Sequence, residues 1–408
     1  MLLEDVTILD LSRVLSGPFA TQQLVDLGAK VIKIENPSHG DDTRKFGPPF
    51  IKGESTYFMS VNRGKKSLAI DLKKPQGRKI VLDLARHCDV VLENFRPGTA
   101  QRLGLGPDDF HEANPRIITC SISGYGSGGA SAFEGRAGYD AIIQGASGVM
   151  SLTGKQDGPA TKVGVAVSDM VAGLYATQGI LAALYKRSLN ESSKTPSHIE
   201  ISMQDAMLSF LTYQAGSYFA TGENPRKMGD AHPSICPYET LQTKDGPFIF
   251  AVGNDKQFET FCRLLNLPEL SHDSRFKTNA DRVQHREELL GLITPKIQAQ
   301  TMKQWEQALS ENGIPGGPVL TIQQALEHPQ VAAQGTVIEH QHKHCGPVRS
   351  IGTPVKHNGT RRQEISPPPM LGEHSRSVLK SYLGFDDTKL HELLDLGVIR
   401  QTEEHSDG

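Results

Sequence analysis

Cysteine and tryptophan are scarce, with five Cys and one Trp in 408 residues. Cys88, Cys120, Cys236, Cys262 and Cys345 are odd in number and scattered without CxxC spacing, which argues against a disulfide framework and for reduced, buried thiols. No stretch approaches the roughly 18 consecutive apolar residues of a membrane span. The opening MLLEDVTILDLS is acidic where a secretory leader is basic, so a cytoplasmic setting away from membranes is expected. A basic tract is also missing, and the formal net charge is -3. Nucleic acids and anionic membranes both demand a concentrated positive face, so neither is an expected partner. There is no P-loop and no internal repeat.

What is present is a globular composition. With 37% hydrophobic and 22% charged residues, the chain can bury a core and keep a soluble surface. Its length exceeds what one core usually organises, so two domains are expected. VTILDLS, FATQQLVDLG and AKVIKIE read as strand, helix and strand, with Pro18 suited to the helix's first turn and Gly28 to its end. SLAIDL, PQGRKIVLDLARHC, DVVLENF and RIITCSIS continue the alternation, which predicts an α/β fold with a parallel sheet covered by helices on both faces. Ligands of such sheets sit at the strands' carboxyl ends. A run from Ser168 to Ser188, apolar nearly all round, predicts a buried helix. HIEISM and the helix after it close the large domain near residue 220. Residues 226–325 read as a small α+β domain with a hairpin at TKDG, and 326–408 as a C-terminal segment with a β-type stretch and a last helix at TKLHELLDLG.

Several patterns carry candidate chemistry. GYGSGG, Gly124 to Gly129, matches GxGxxG after a strand, but Phe133, Glu134, Gly135 and Gly138 intervene before a convincing helix, so no helix N-terminus meets the glycines to receive a pyrophosphate. His340, His342 and His344 alternate beside Cys345, a spacing that would put three imidazoles on one strand face. Without a second cluster no metal is expected. Lys65, Lys66, Lys73, Lys74, Arg78, Arg96 and Arg102 are either solvated surface cations or a set suited to a phosphate-bearing ligand. Asp169 opens the long apolar helix. It is either a cap for free N–H groups or a carboxylate that the helix dipole keeps ionised and nucleophilic in a dry pocket; local sequence leaves both readings open.

LDLSRVLSGPFATQQLVDLGAKVIKIE, GDDTR, NRGKKSLAIDLK, VLENFRPG, NPRIITCSISGYG, AGYDAIIQGASGVMSLTG, VGVAVSDMVAGLYA, ISMQDAML and PPPMLGEH together resemble the class III CoA-transferases along almost the whole chain. The resemblance implies a Rossmann-like large domain with a small inserted domain, and two chains interlocked as a homodimer. It also implies coenzyme A as co-substrate with no further cofactor. It places the catalytic aspartate on Asp169 and carries CoA contacts to Arg13, Val14, Ile70, Lys73, Asn94, Phe95, Arg102, Arg136 and Tyr139, with Tyr57 and Asp140 positioning substrate. Backbone N–H groups near Gly17 and Gly253 would serve the oxyanions.

Departures from the pattern narrow the substrate. Formyl-CoA enzymes carry Gln where this chain has Leu15, an Arg where it has Asn36, and consecutive lid glycines where it has Gly253-Asn254. Acyl-CoA racemases of the same fold place a His where this chain has Tyr139. GDDTRKFGPPF, GESTYFMSVNR and GDAHPSICPYE are most similar to succinyl-CoA-dependent dicarboxylate transferases, so a glutarate-like acceptor is expected. Arg44 and His232 are candidates for its distal carboxylate. The alternatives are a racemase, a transferase acting on formate or oxalate, and a CoA-binding protein without turnover.

Overall fold

A computed structural model describes residues 1–128, 133, 135–190 and 195–402. The chain divides into two compact units: one of residues 1–149, 162–220 and 332–408, and one of 150–161 and 221–331. Residues 150–161 thus pack with the second unit, although the sequence reading gave them to the large domain. They are a short turn-rich stretch with no hydrophobic period of their own to reveal where they pack.

The first unit is built on a seven-stranded sheet. Its strands are β1 (Thr7–Asp10), β2 (Lys30–Glu35), β3 (Lys65–Ile70), β4 (Val90–Glu93), β5 (Ile118–Ser123), β6 (Ser197–Ser202) and β7 (Ile399–Arg400), in the spatial order β7-β3-β2-β1-β4-β5-β6. All pairings are parallel except β7 on β3. β7, at two residues too short to show alternation, escaped the sequence reading. The strand order reverses between β1 and β4, and at such a switch point the loops leaving the two strands diverge and open a crevice at their carboxyl ends.

Helix α1 (Ser16–Asp26) lies on one face of the sheet, α2 (Pro75–Ala85) on the other, and the cores on both faces are apolar: Ile8, Leu24, Val90 and Ile180 in one, Leu9, Ile80, Val91 and Leu379 in the other. α1 ends where expected, at Gly28, whose φ of +117° is a conformation side chains resist. Two further helices matter for the site, α3 (Asp140–Ala146) and α4 (Val167–Ser188). α4 is long and apolar enough to cross a membrane, yet it packs against α1, with Thr177 Oγ1 donating to Ala20 O at 3.3 Å. A Cβ on Gly173 would meet Ser16 O at 2.8 Å, so this glycine sets how closely the two helix starts approach. The helix is not buried all round as expected. Ala172, Ala176 and Ile180 are fully buried, whereas Leu174, Tyr175 and Tyr185 are exposed.

The second unit has its own core, with Phe248, Phe250, Phe258, Phe261 and Trp305 fully buried together. The expected hairpin is there, Tyr238–Gln242 pairing with Pro247–Ala251. The 279–297 stretch forms two helices, Asn279–Gln284 and Arg286–Ile297. They break at His285, whose ψ of 29° leaves the helical region.

Candidate active site

The cleft at the switch point is lined by Arg13, Val14, Ser16, Asp42, Asn94, Phe95, Arg96, Tyr139 and Asp169, with the 122–124 and 136–138 segments alongside. It is shaped by the Arg13–Ser16 turn, which three neighbours clamp. Asn94 Oδ1 accepts from Arg13 N–H at 2.8 Å, while its amide donates to Arg13 O at 2.7 Å and to Ser16 Oγ at 3.2 Å. Asp41 Oδ1 accepts from Val14 N–H at 3.2 Å, and Lys33 Nζ donates to Ser12 O at 2.9 Å. Val14 sits at φ +66°, a left-handed conformation that costs a β-branched residue about 1–3 kcal/mol and persists only where its surroundings impose it.

The surroundings that impose it are a buried ionic lattice. Lys33 pairs with Asp41 at 2.9 Å and Lys65 with Asp10 at 3.2 Å, all four side chains inaccessible. Burial pushes the Asp41 carboxyl up, but Lys33 and Thr43 outweigh it and hold it down at about 2. Lys65 moves to about 8, because burial outweighs Asp10. Lys65 is therefore no ligand cation, contrary to the expectation for that set; it also donates to Pro18 O and Asn62 Oδ1. Lys74 and Arg78 are likewise occupied with backbone carbonyls, and Lys66 is the second residue of β3, near the end away from the cleft. Asn94→Ala is expected to release the turn and lower turnover about 10- to 100-fold, with a small loss of Tm, measurable by steady-state kinetics beside a thermal melt.

Asp169 lies in the first turn of α4, facing the first turn of α1. Ser16 offers it a hydroxyl and a backbone N–H, but burial, followed by the charge of Asp140, wins, and the carboxyl is pushed up to about 7. This corrects the expectation that the helix start alone would keep it ionised. Asp140 is the cap of α4: its Oδ1 accepts from Ser168 N–H at 3.0 Å and Ser168 Oγ at 2.8 Å, and its Oδ2 from Gln144 at 2.8 Å. Tyr57 has its hydroxyl pKa raised, first by burial and then by Asp169, Asp140 and Asp41, so it stays a protonated donor beside the carboxylates. The N–H groups of Ser16 and Gly17 belong to the first turn of α1, where the helix itself supplies no acceptor, and Pro18 has no N–H to compete.

The GYGSGG loop packs against the segment that carries Tyr139 and Asp140. Gly124 and Gly138 are in backbone contact, and Ser127 ties the loop to Glu200 through its N–H and hydroxyl. Gly129 and Glu134 lie outside the described residues. The imidazoles of the HQHKHC stretch are spent on structure. His340 Nδ1–H donates to Ile365 O and its Nε2 accepts from Ser350, both at 2.8 Å; His342 Nδ1 accepts two backbone N–H groups; His344 Nε2–H donates to Lys52 O. Among the described residues no group of His, Cys, Asp and Glu is placed to hold a metal.

Of the nine residues expected to contact CoA, the cleft gathers Arg13, Val14, Asn94, Phe95, Arg136 and Tyr139. Ile70 is buried in the core, Lys73 is exposed outside the cleft, and Arg102 donates to Thr99. Leu15 is buried. Arg44 is committed elsewhere: its guanidinium makes a two-point pair with Glu35 at 2.7 and 2.8 Å and stacks 3.7 Å over Phe58. An arginine so paired has little left for a substrate carboxylate. His232 and Gly253 belong to the second unit, where His232 Nδ1 accepts from Ser234 N–H and the Gly253 N–H donates to Gln257 Oε1. Sequence reasoning passed over Ser16 and Asp42, and Glu93, a half-buried carboxyl at the end of β4 that desolvation pushes up to about 7.

The sheet reverses at this point, and the cleft brings the half-buried Asp169 carboxyl together with Arg13, Arg96 and Arg136, which defines an α/β protein whose cleft suits an anionic ligand. The model of CoA-transferase family III matches residues 3–375, and the chain belongs to that family and is a CoA-transferase. It is 42% identical over 403 residues to human succinyl-CoA:glutarate CoA-transferase, covering 99% of this chain and 91% of that one. It is 39% identical to acetyl-CoA:oxalate CoA-transferase of Acetobacter aceti, covering 93% and 95%. The crystal structure of a CAIB/BAIF family protein from Brucella suis superposes with a TM-score of 0.82 at 38% identity, covering 93% and 98%.

Proposed function

We propose that the protein transfers CoA from succinyl-CoA to a dicarboxylate of glutarate size, with Asp169 as the covalent relay. The observation that carries this reading is the Asp169 carboxyl, drawn up to about 7 at the end of a cleft lined by Arg13, Arg96 and Arg136. A carboxylate poised near neutrality is a better nucleophile than one held near its ordinary value, and three guanidiniums suit the phosphates of CoA. The likeness to the human glutarate enzyme over nearly the whole chain supports the donor and acceptor.

Asp169 attacks the thioester carbonyl, the C–S bond breaks, and CoA leaves as thiolate from a mixed anhydride. The thiolate attacks the aspartyl carbonyl, expelling the donor acid and leaving an aspartyl-CoA thioester. The acceptor carboxylate then attacks that carbonyl and frees the thiolate, which takes the acceptor's acyl carbon and restores Asp169. Each tetrahedral oxyanion needs preorganised donors, a role that suits the Ser16 and Gly17 N–H groups and the Tyr57 hydroxyl. No step calls for a redox or metal cofactor.

The working form is an interlocked homodimer in this reading, supported by the apolar side chains that the single chain leaves exposed, Leu174, Tyr185, Phe210 and Phe219 among them. Five buried, unpaired cysteines suit a reducing, cytoplasmic compartment. The test is an acceptor screen with succinyl-CoA against C4 to C6 dicarboxylates, formate and oxalate. Glutarate and its neighbours are expected to be used at least about tenfold better than the short acids, with no α-proton exchange in deuterated water. Preference for oxalate overturns the acceptor class, and α-proton exchange overturns the transferase reading in favour of a racemase.

A further inference from the structure

Among the described residues two acidic side chains line the cleft. Asp169 has its role above; the other, Asp42, stands among Arg13, Arg96 and Arg136, where a carboxylate opposes the anion those cations would bind. The two aspartates of GDDTR grip successive residues of the same turn in different ways. Asp41 is buried and holds Val14 N–H. Asp42 is 44% exposed and pairs at 3.3 Å with the Arg13 guanidinium, itself 48% exposed and lying 5.9 Å from the Phe95 ring. Asp41, not Asp42, caps the 3-10 turn that follows, Asp42–Lys45, so the Asp42 carboxylate is not needed for the local fold. An ion pair this open contributes little to stability and exchanges its partner at small cost, and a phosphate dianion outbids a carboxylate for a guanidinium.

We propose that Asp42 is a displaceable counter-anion: it holds Arg13 in place over the empty cleft and surrenders it to a phosphate of CoA. The inference rests on the reading of this cleft as the CoA site. Asp42 is a positioning residue that sets the charge threshold a ligand must meet, since a phosphate displaces it and a lone carboxylate does not. It also shapes the salt dependence of binding. In the wild type, CoA releases an internal carboxylate from Arg13; once that carboxylate is gone, the guanidinium carries solution anions that binding must release instead.

The test is calorimetric titration of CoA, with phosphate-free pantetheine as the control, into wild type, Asp42→Asn, Arg13→Gln and the double variant across a range of salt. Asp42→Asn is expected to bind CoA about three- to tenfold tighter at low salt, with a steeper salt dependence, unchanged pantetheine binding and an unchanged Tm. In the Arg13→Gln background the gain should vanish. Equal affinity of wild type and Asp42→Asn would show that no exchange takes place, and weaker binding by the variant would make Asp42 a direct ligand; either result overturns the proposal. A wild-type chain that does not bind CoA at all instead overturns the functional reading, and the inference falls with it.

Discussion

Asp169→Ala and Asp169→Asn are expected to lose CoA exchange by at least about 10⁴-fold while remaining folded, because no other carboxylate described in or beside the cleft is free to replace it. Asp140 is tied to Ser168 and Gln144, and Asp42 to Arg13. The two variants separate chemistry from stability. Burial and the Asp140 charge raise the Asp169 carboxyl from its ordinary 3.8 to about 7 in the folded chain. Between those values the unfolded chain has lost the proton and the folded chain keeps it, so stability falls as pH rises from about 4 to about 7. Removing the charge removes that penalty. Asp169→Asn is therefore expected to melt higher than wild type at pH 8 by an amount equivalent to about 2 kcal/mol, and to match it at pH 4. Glu93, raised for the same reason, contributes a fall of the same sign in both proteins and cancels in the comparison. Wild-type kcat/KM should rise about tenfold per pH unit up to about 7 and level off above it. A profile flat from pH 5 to 8 would mean that the nucleophile is already ionised throughout.

Gly138→Ala is expected to lower exchange about 100-fold or more without touching a reacting atom. A Cβ at residue 138 would lie 2.1 Å from Gly124 Cα, and one at residue 124 would lie 2.5 Å from Gly138 Cα. Both contacts are backbone on backbone, so no side chain can swing aside to relieve them. The strand end at Ser123–Gly124 is fixed by sheet pairing, which leaves the 136–140 segment to move. That segment delivers Tyr139 to the cleft and Asp140 to the start of α4, so a displacement there uncaps Ser168 and shifts Asp169. Kinetics and a thermal melt decide the matter: turnover should collapse while Tm falls only by a few degrees. Full activity in Gly138→Ala would show that the loop is free to adjust.

The sheet was legible because its strands alternate with helices at regular spacing, and VTILD, KVIKIE and VVLE are apolar runs bounded by Gly, Pro and polar turns. The chemistry was less so. Asp169 in isolation reads as a cap; what distinguishes it is partial burial near the Asp140 charge, an interaction across 29 positions that no local window contains. Val14 in a left-handed conformation runs against the propensity of its side chain and is imposed by Asp41 and Asn94, which lie 27 and 80 positions away. Arg44 and Lys65 look like ligand cations in sequence and turn out to be buried partners of Glu35 and Asp10, because charge alone does not reveal which way a side chain faces. His232 was a candidate for the distal carboxylate and Gly253 for the oxyanions, and both have local partners in the second unit.

The central claim is that Asp169 carries the acyl group and then CoA. Incubating the protein with succinyl-CoA alone and mapping its peptides by mass tests it most directly. A succinyl or CoA adduct is expected on the peptide bearing Asp169, absent from Asp169→Asn and discharged when glutarate is added. An exchange-active protein whose Asp169 peptide stays unmodified would contradict it.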